Sequence, residues 1–271
     1  MKVKCKNMPI EINNLSHSQY FRFYRDQLGF LSQNAAKDYF GAKNITPCID
    51  EKYLNALLGR VEGIVKGYNK IIIESLRPAD IDLFIRDKIL YPLNEIKKHE
   101  LLHNLNNHGR RPEQVLFSWL RGYSTAEYFI PALKHIFNIT DLNRIGGDDF
   151  TNPDTFRRTP TADYETSING NTIRFEIQSG FQSINDVKQH KVIEAKNVFR
   201  DHQIKTICVH FDLFNGQCAF IRLDTIQDED PNWITRAQME GQYVFSIEQN
   251  YFNWRLMNNP PNGTDLVDLN L

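Results

Sequence analysis

Through residues 1–110, apolar side chains recur mainly at three- and four-residue intervals, the period of a helix with one buried face. The clearest case is "DEKYLNALLGRVEGIVKGYNKIII", where Leu54, Leu57, Leu58, Val61, Ile64 and Val65 follow Asp50, a residue type that caps helix starts. "SHSQYFRFYRDQLGF" ends at a glycine, and "SQNAAKDYFGAKN" opens on Ser or Gln. "RPADIDLFIRDKILYPL" and "NEIKKHELLHNL" carry the same period. After the breaker "NNHGRR" (106–111), "RPEQVLFSWLRGYSTAEYFIPALKHIFNI" is again helical, with interruptions expected around Gly122 and Pro131.

The period shortens to two near "LNRIGGDD". In "TPTADYETSINGNTIRFEIQSG" (159–180), Asn169-Gly170 lies between alternating apolar residues, which predicts a two-residue hairpin turn. Ile168 then faces Asn171, Thr166 faces Ile173, Glu165 faces Arg174, Tyr164 faces Phe175 and Asp163 faces Glu176. Side chains alternate between the faces of a strand. One face therefore holds Ala162, Tyr164, Thr166, Ile168, Ile173, Phe175 and Ile177, fit for a core. The other holds Asp163, Glu165, Ser167, Arg174, Glu176 and Gln178. A helix is expected over 183–203, with Ser183 and Asp186 at capping-box spacing. A second strand pair follows around Asn215-Gly216, and "NNPPNGTD" (258–265) reads as a loop. The sum is an α/β chain: a mostly helical N-terminal portion, 1–111, and a portion with a central mixed sheet flanked by helices, 112–271.

Glu165 opposite Arg174 is explained as a cross-strand ion pair. Asp163 opposite Glu176 needs another account, because like charges facing each other across a strand pair destabilise it. Either the face is solvated and tolerates the repulsion, or a divalent cation turns repulsion into coordination; Mg²⁺ takes one or two carboxylates and keeps several waters.

"PTAD" with Asp163, "FEIQ" with Glu176 and Gln178, the segment 183–203 and the strand "TICVHF" together resemble the PD-(D/E)xK nuclease superfamily, to which most type II restriction endonucleases belong. The resemblance covers roughly 112–225. It implies a restriction-endonuclease-like core: helix, three antiparallel strands, helix, strand. It implies Mg²⁺ held by Asp163, Glu176 and the backbone carbonyl of Ile177, with a glutamate of the preceding helix, Glu127 or Glu113, as a possible further ligand. Gln178 stands where the family usually has lysine, a Glu-x-Gln variant that occurs among such restriction enzymes. Gln orients water by hydrogen bonding but does not deprotonate it, so the metal would have to supply hydroxide. The implied reaction is in-line attack of water on a double-stranded DNA phosphodiester, leaving 5′-phosphate and 3′-hydroxyl ends. The implied setting is a restriction-modification system, and the implied assembly is a homodimer whose two-fold axis matches a palindromic site. Arg157, Arg158, Lys188 and Lys191 are candidates to hold DNA phosphates, and either lysine is placed to stand in for the missing one. Asp154 is a rival for Asp163 that lacks the facing register.

A different chemistry is written in "HELLH", where His99, Glu100 and His103 match the zinc metalloprotease signature H-E-x-x-H. That signature needs a helix and a third ligand; His108 falls one position short of the metzincin spacing, and the same segment reads as an amphipathic helix burying Ile96, Leu101, Leu102 and Leu105. A non-catalytic DNA-binding module is the remaining alternative. The net charge of −1 excludes a uniformly basic surface but not a segregated basic cleft. The four cysteines have no C-x-x-C spacing, no apolar stretch has membrane-spanning length, and no secretory h-region is visible, so a reduced cytoplasmic protein without membrane partners is expected. Trp119, Trp233 and Trp254 are read as core or interface residues.

Overall fold

The computed structural model describes residues 12–42, 45–105, 110–146, 161–237 and 241–263. The chain divides into two compact units, Met1–Cys48 and Ile49–Leu271. The first carries helices α1 (His17–Gln27) and α2 (Gln33–Phe40). Ser16 caps α1 through a reciprocal box with Gln19, and Ser32 caps α2.

In the second unit, α3 (Glu51–Ile71) starts at Asp50, whose carboxylate accepts from the Tyr53 amide, and it buries Leu54, Leu58, Val61 and Val65. A run from α4 (Ile81–Ile85) through a π turn (Arg86–Leu90) to α5 (Tyr91–Lys98) follows. Pro92 explains the wider turn: it has no N–H to close an α bond onto residue 88. Helix α6 (Pro112–Phe137) runs straight through both expected interruptions, Gly122 and Pro131. A face of Leu116, Leu120, Phe129, Leu133 and Ile136, each at most 2% exposed, anchors it. That burial outweighs the cost of about 3 kcal/mol that an interior proline carries.

Beyond α6 come strands β1 (Asn143–Arg144), β2 (Tyr164–Ile168), β3 (Asn171–Gly180) and β4 (Asp186–Lys188), then α7 (Gln189–His202). Strands β5 (Lys205–Asp212), β6 (Gln217–Arg222), β7 (Trp233–Arg236), β8 (Gln242–Ser246) and β9 (Phe252–Arg255) complete the described elements. The main sheet has the order β1-β2-β3-β5-β6-β9, and a smaller one the order β4-β8-β7. Strand β2 runs antiparallel to both of its neighbours, β1 and β3, and β5 returns through α7 to lie parallel to β3. Ile173, Phe175, Ile207, Val209 and Phe211 join the core built with α3 and α6. Cys208, Ala219 and Ile221 join a second core with Val192 and Ala195 of α7 and Phe245 of β8. Helices thus cover both faces of a mixed sheet, and the fold is α/β.

The helix expected over 183–203 is shorter than its pattern. Ser183 has φ +57°, and 186–188 form β4 instead of a first turn. The Asp186 carboxylate is held by both ends of the Arg236 guanidinium, at 2.9 and 3.0 Å, and Val187 is fully buried. Sheet pairing and a bidentate ion pair have taken the residues that the capping-box spacing assigned to the helix. Among the described residues, no helix is long and apolar enough to cross a membrane.

Candidate active site

The site is built from the turn outward. Asn169 and Gly170 both have positive φ, +50° and +80°, the requirement of a type I′ turn. That turn sets the register: Thr166↔Ile173, Glu165↔Arg174 and Tyr164↔Phe175, as the sequence predicts. Glu165 Oε2 accepts from Arg174 Nε at 3.0 Å. The core-facing row follows the alternation, with Tyr164, Thr166, Ile168, Ile173 and Phe175 all buried.

The regular ladder ends at Tyr164, and Asp163 takes over its bonding. Its amide donates to the Phe175 carbonyl at 3.0 Å, and its carbonyl accepts from the Ile145 and Gly146 amides at 3.0 and 3.2 Å. Its Oδ2 accepts from the Ile177 amide at 2.7 Å. The side chain therefore closes the backbone bond that another residue of β2 would have made, and Asp163 is fixed between β3 and the residues that follow β1.

Glu176, 4% exposed, meets three partners under α7. Its Oε2 accepts from Lys191 Nζ at 2.7 Å and its Oε1 from Gln178 Nε2 at 3.1 Å. Cys208 is its lateral neighbour on β5. Lys191 Nζ also donates to the Thr161 carbonyl at 3.0 Å, tying α7 to the segment that leads into Asp163. Burial, and then the charge of Asp163, push the Glu176 carboxyl up to about 8 against the pull of Lys191. Asp163 is also raised, by burial, against Lys191 and the Ile177 amide. Both carboxyls are held where their charge is poorly solvated, the condition that a bound cation relieves.

Among the described residues, no group of three or more His, Cys, Asp or Glu side chains is placed to hold a metal ion. Two carboxylates and a backbone carbonyl are nonetheless enough for Mg²⁺, which keeps the rest of its shell as water. The N–H and C=O of one strand residue point to the same edge. The Ile177 carbonyl therefore lies on the edge of β3 that its amide presents to Asp163. Oxygen donors of this kind are the type that a hard ion such as Mg²⁺ takes.

Glu113 is fully buried and spent elsewhere, accepting from the Asp50 amide at 2.7 Å and from Arg111 at 2.8 Å. Glu127 has both oxygens engaged: Oε2 by Lys88 at 2.6 Å, Oε1 by the Tyr164 hydroxyl at 2.8 Å and by Arg144. Lys188 is the last residue of β4 and caps α7. Asp154, Arg157 and Arg158 lie outside the described residues, as does His108. The "HELLH" segment lacks the helix its signature needs. Helix α5 ends at Lys98, Glu100 has φ +54°, and residues 101–104 form a 3-10 turn, so His99 and His103 do not share an α-helical face. The inward residues Ile96, Leu101, Leu102 and Leu105 are buried as the amphipathic reading expects.

Sequence reasoning missed the polar row on β5. His210 lies beside Gln178, and Asp212 beside Gly180. Asn185 Nδ2 donates to Asp212 at 3.1 Å, which turns Asn185 Oδ1 toward His210 Nε2 at 2.8 Å. His210 is neutral, its pKa lowered to about 4 by burial. This network fixes the loop after β3, and it leaves no room for a side chain at Gly180: a Cβ there would stand 2.4 Å from Asn185 Oδ1. The signal was present as Cys208, His210 and Asp212, polar or polarisable residues at period two in an otherwise apolar strand. No family model matches the chain, and no curated protein matches it.

Proposed function

We propose that the chain is a Mg²⁺-dependent endonuclease that hydrolyses double-stranded DNA at specific sequences, as type II restriction endonucleases do. The observation that carries this reading is that Asp163, bonded to the Ile177 amide just beyond the β2–β3 ladder, lies near enough to Glu176 for its charge to bear on that carboxyl, with Lys191 bonded to Glu176 from the following helix. The order α6, β1, β2, β3, α7, β5, with β4 set apart in the smaller sheet, supports it, since it follows the helix, three antiparallel strands, helix and strand of the family that the sequence resembles.

The residues divide the work in a way that accounts for Gln178. Its amide donates to Glu176 and orients that carboxylate. The positive charge that the family usually places at this position comes instead from Lys191, one helix later. The Ile177 amide orients Asp163. Mg²⁺ bound by Asp163, Glu176 and the Ile177 carbonyl would supply a water of lowered pKa and neutralise charge on the phosphate oxygens. Lys191 then stabilises negative charge beside the scissile phosphate without leaving its place on the helix. A homodimer acting on a palindromic site is part of this proposal.

A non-catalytic DNA-binding role has one observation in its favour: Lys191 already closes Glu176 as a buried ion pair. Incubation of the purified protein with plasmid and phage DNA, in Mg²⁺ and in EDTA, separates the two. Discrete fragments that require Mg²⁺ are expected; intact DNA on several substrates, with binding retained, favours the non-catalytic reading.

A further inference from the structure

Several sheltered arginines in the second unit have an acidic partner: Arg144 has Glu127, Arg174 has Glu165, Arg222 has Asp224 and Arg236 has Asp186. Arg121 does not. Its guanidinium lies between two aromatic rings, 5.0 Å from the Phe117 centroid and 3.8 Å from that of Phe181. Its Nε is buried with no hydrogen-bond partner. The charge that bears on it is another cation, Arg110, which adds to burial in lowering its pKa. Arg110 is oriented along the same face of α6 by bonds to Ser118 Oγ at 2.6 Å and to the Gln114 carbonyl at 3.2 Å.

Two like charges that no carboxylate of the described residues joins are destabilising unless an anion does so. Rings stacked on a guanidinium cover its faces and leave its in-plane N–H edge, the edge that matches a phosphate. The separation along β3 sets the scale of the second contact. Phe181 directly follows Gly180, the last residue of β3, and stands five residues beyond Glu176. At strand rise that is about 16 Å, a few nucleotides along a bound strand.

We propose that Arg121 and Arg110 form a second contact point for the DNA, gripping a backbone phosphate displaced from the one cleaved. This rests on the nuclease reading and adds to it a binding subsite on α6. The contact positions the duplex and carries no base specificity.

The test is binding of fluorescently labelled duplex DNA by the whole protein, without cleavage in EDTA, over a series of salt concentrations. Arg121→Met keeps the packed stem and removes the charge. Arg110→Met alters an exposed residue, so the test survives if the first variant misfolds. Each is expected to weaken binding and to reduce the slope of log K against log salt by about 0.9, the value of one lost phosphate contact. Unchanged slopes in both variants, with wild-type protein still cutting DNA, overturn the subsite and leave the nuclease reading intact. Wild-type protein that binds no DNA removes both. A melting temperature raised by inorganic phosphate in wild type but not in Arg121→Met, with unchanged DNA slopes, shows a free-anion site and overturns the DNA assignment.

Discussion

Lys191 Nζ lies 2.7 Å from Glu176 Oε2 and 3.0 Å from the Thr161 carbonyl, so one ammonium group joins the helix after the hairpin to both halves of the candidate site. Lysine is a compact charge on a flexible stem, and here its place in the first turn of α7 sets where that charge sits. Lys191→Met is expected to lower DNA cleavage by about 10²-fold or more, the usual effect of deleting one charge-stabilising donor. It also takes a hydrogen-bond donor from the buried Glu176 carboxyl, a change of the kind that costs about 1–3 kcal/mol. Mg²⁺ is expected to restore most of the lost stability but not the activity. Cleavage assays and thermal melts of the same preparations check this; activity recovered in step with stability would make Lys191 merely structural.

The raised carboxyls give a pH dependence with a definite sign. Glu176 titrates at about 8 in the folded protein against a reference of 4.5. Between those values the folded state binds the proton more tightly than the unfolded state. Stability of the metal-free protein therefore falls as pH rises from about 4.5 to about 8. Glu176→Gln removes this contribution, and its melting temperature is expected to vary less with pH over that interval. Circular-dichroism melts in EDTA at a series of pH values measure both slopes; parallel slopes would contradict the assignment.

Mg²⁺ competes with that proton, so its stabilising effect should grow over the same pH range. At a hundred times its Kd the ion adds about 2.7 kcal/mol, or roughly 5–10 °C in Tm for a unit of this size. The shift is expected in wild type and absent from Asp163→Asn. An equal shift in that variant places the ion elsewhere.

Glu127 is expected to behave as a structural residue. Its carboxylate joins Lys88, Arg144 and Tyr164. Glu127→Gln should cost about 1–3 kcal/mol and leave the Mg²⁺-dependent shift in Tm unchanged. A lost shift would make Glu127 a ligand after all.

The hairpin was legible because its information is local. Asn169-Gly170 dictates the turn, and a period of two then fixes each facing pair down to Glu165↔Arg174. The expected pairing of Asp163 with Glu176 lies beyond the regular register, which stops at Tyr164↔Phe175, and the Asp163 bond to the Ile177 amide was not legible, since it depends on β2 starting one residue later, at Tyr164. Residues 186–188 read as helix because Ser183 and Asp186 have the right spacing; the partner that overrides it, Arg236, is fifty positions away. Gly122 and Pro131 are local breakers that long-range packing overrules. "HELLH" fails for the opposite reason, because a left-handed Glu100 ends the helix that the motif assumes. Lys191 was placed on the correct helix as a candidate, and only the path of β4 into α7 brings it onto Glu176.

The most direct test of the central claim is a paired measurement on Asp163→Ala and Glu176→Ala: cleavage of a mapped DNA substrate in Mg²⁺, and binding of the same duplex in EDTA. Cleavage is expected to vanish in both variants while specific binding remains measurable. Variants that still cut, or that lose binding and folding together, would contradict a metal-dependent active site at this pair.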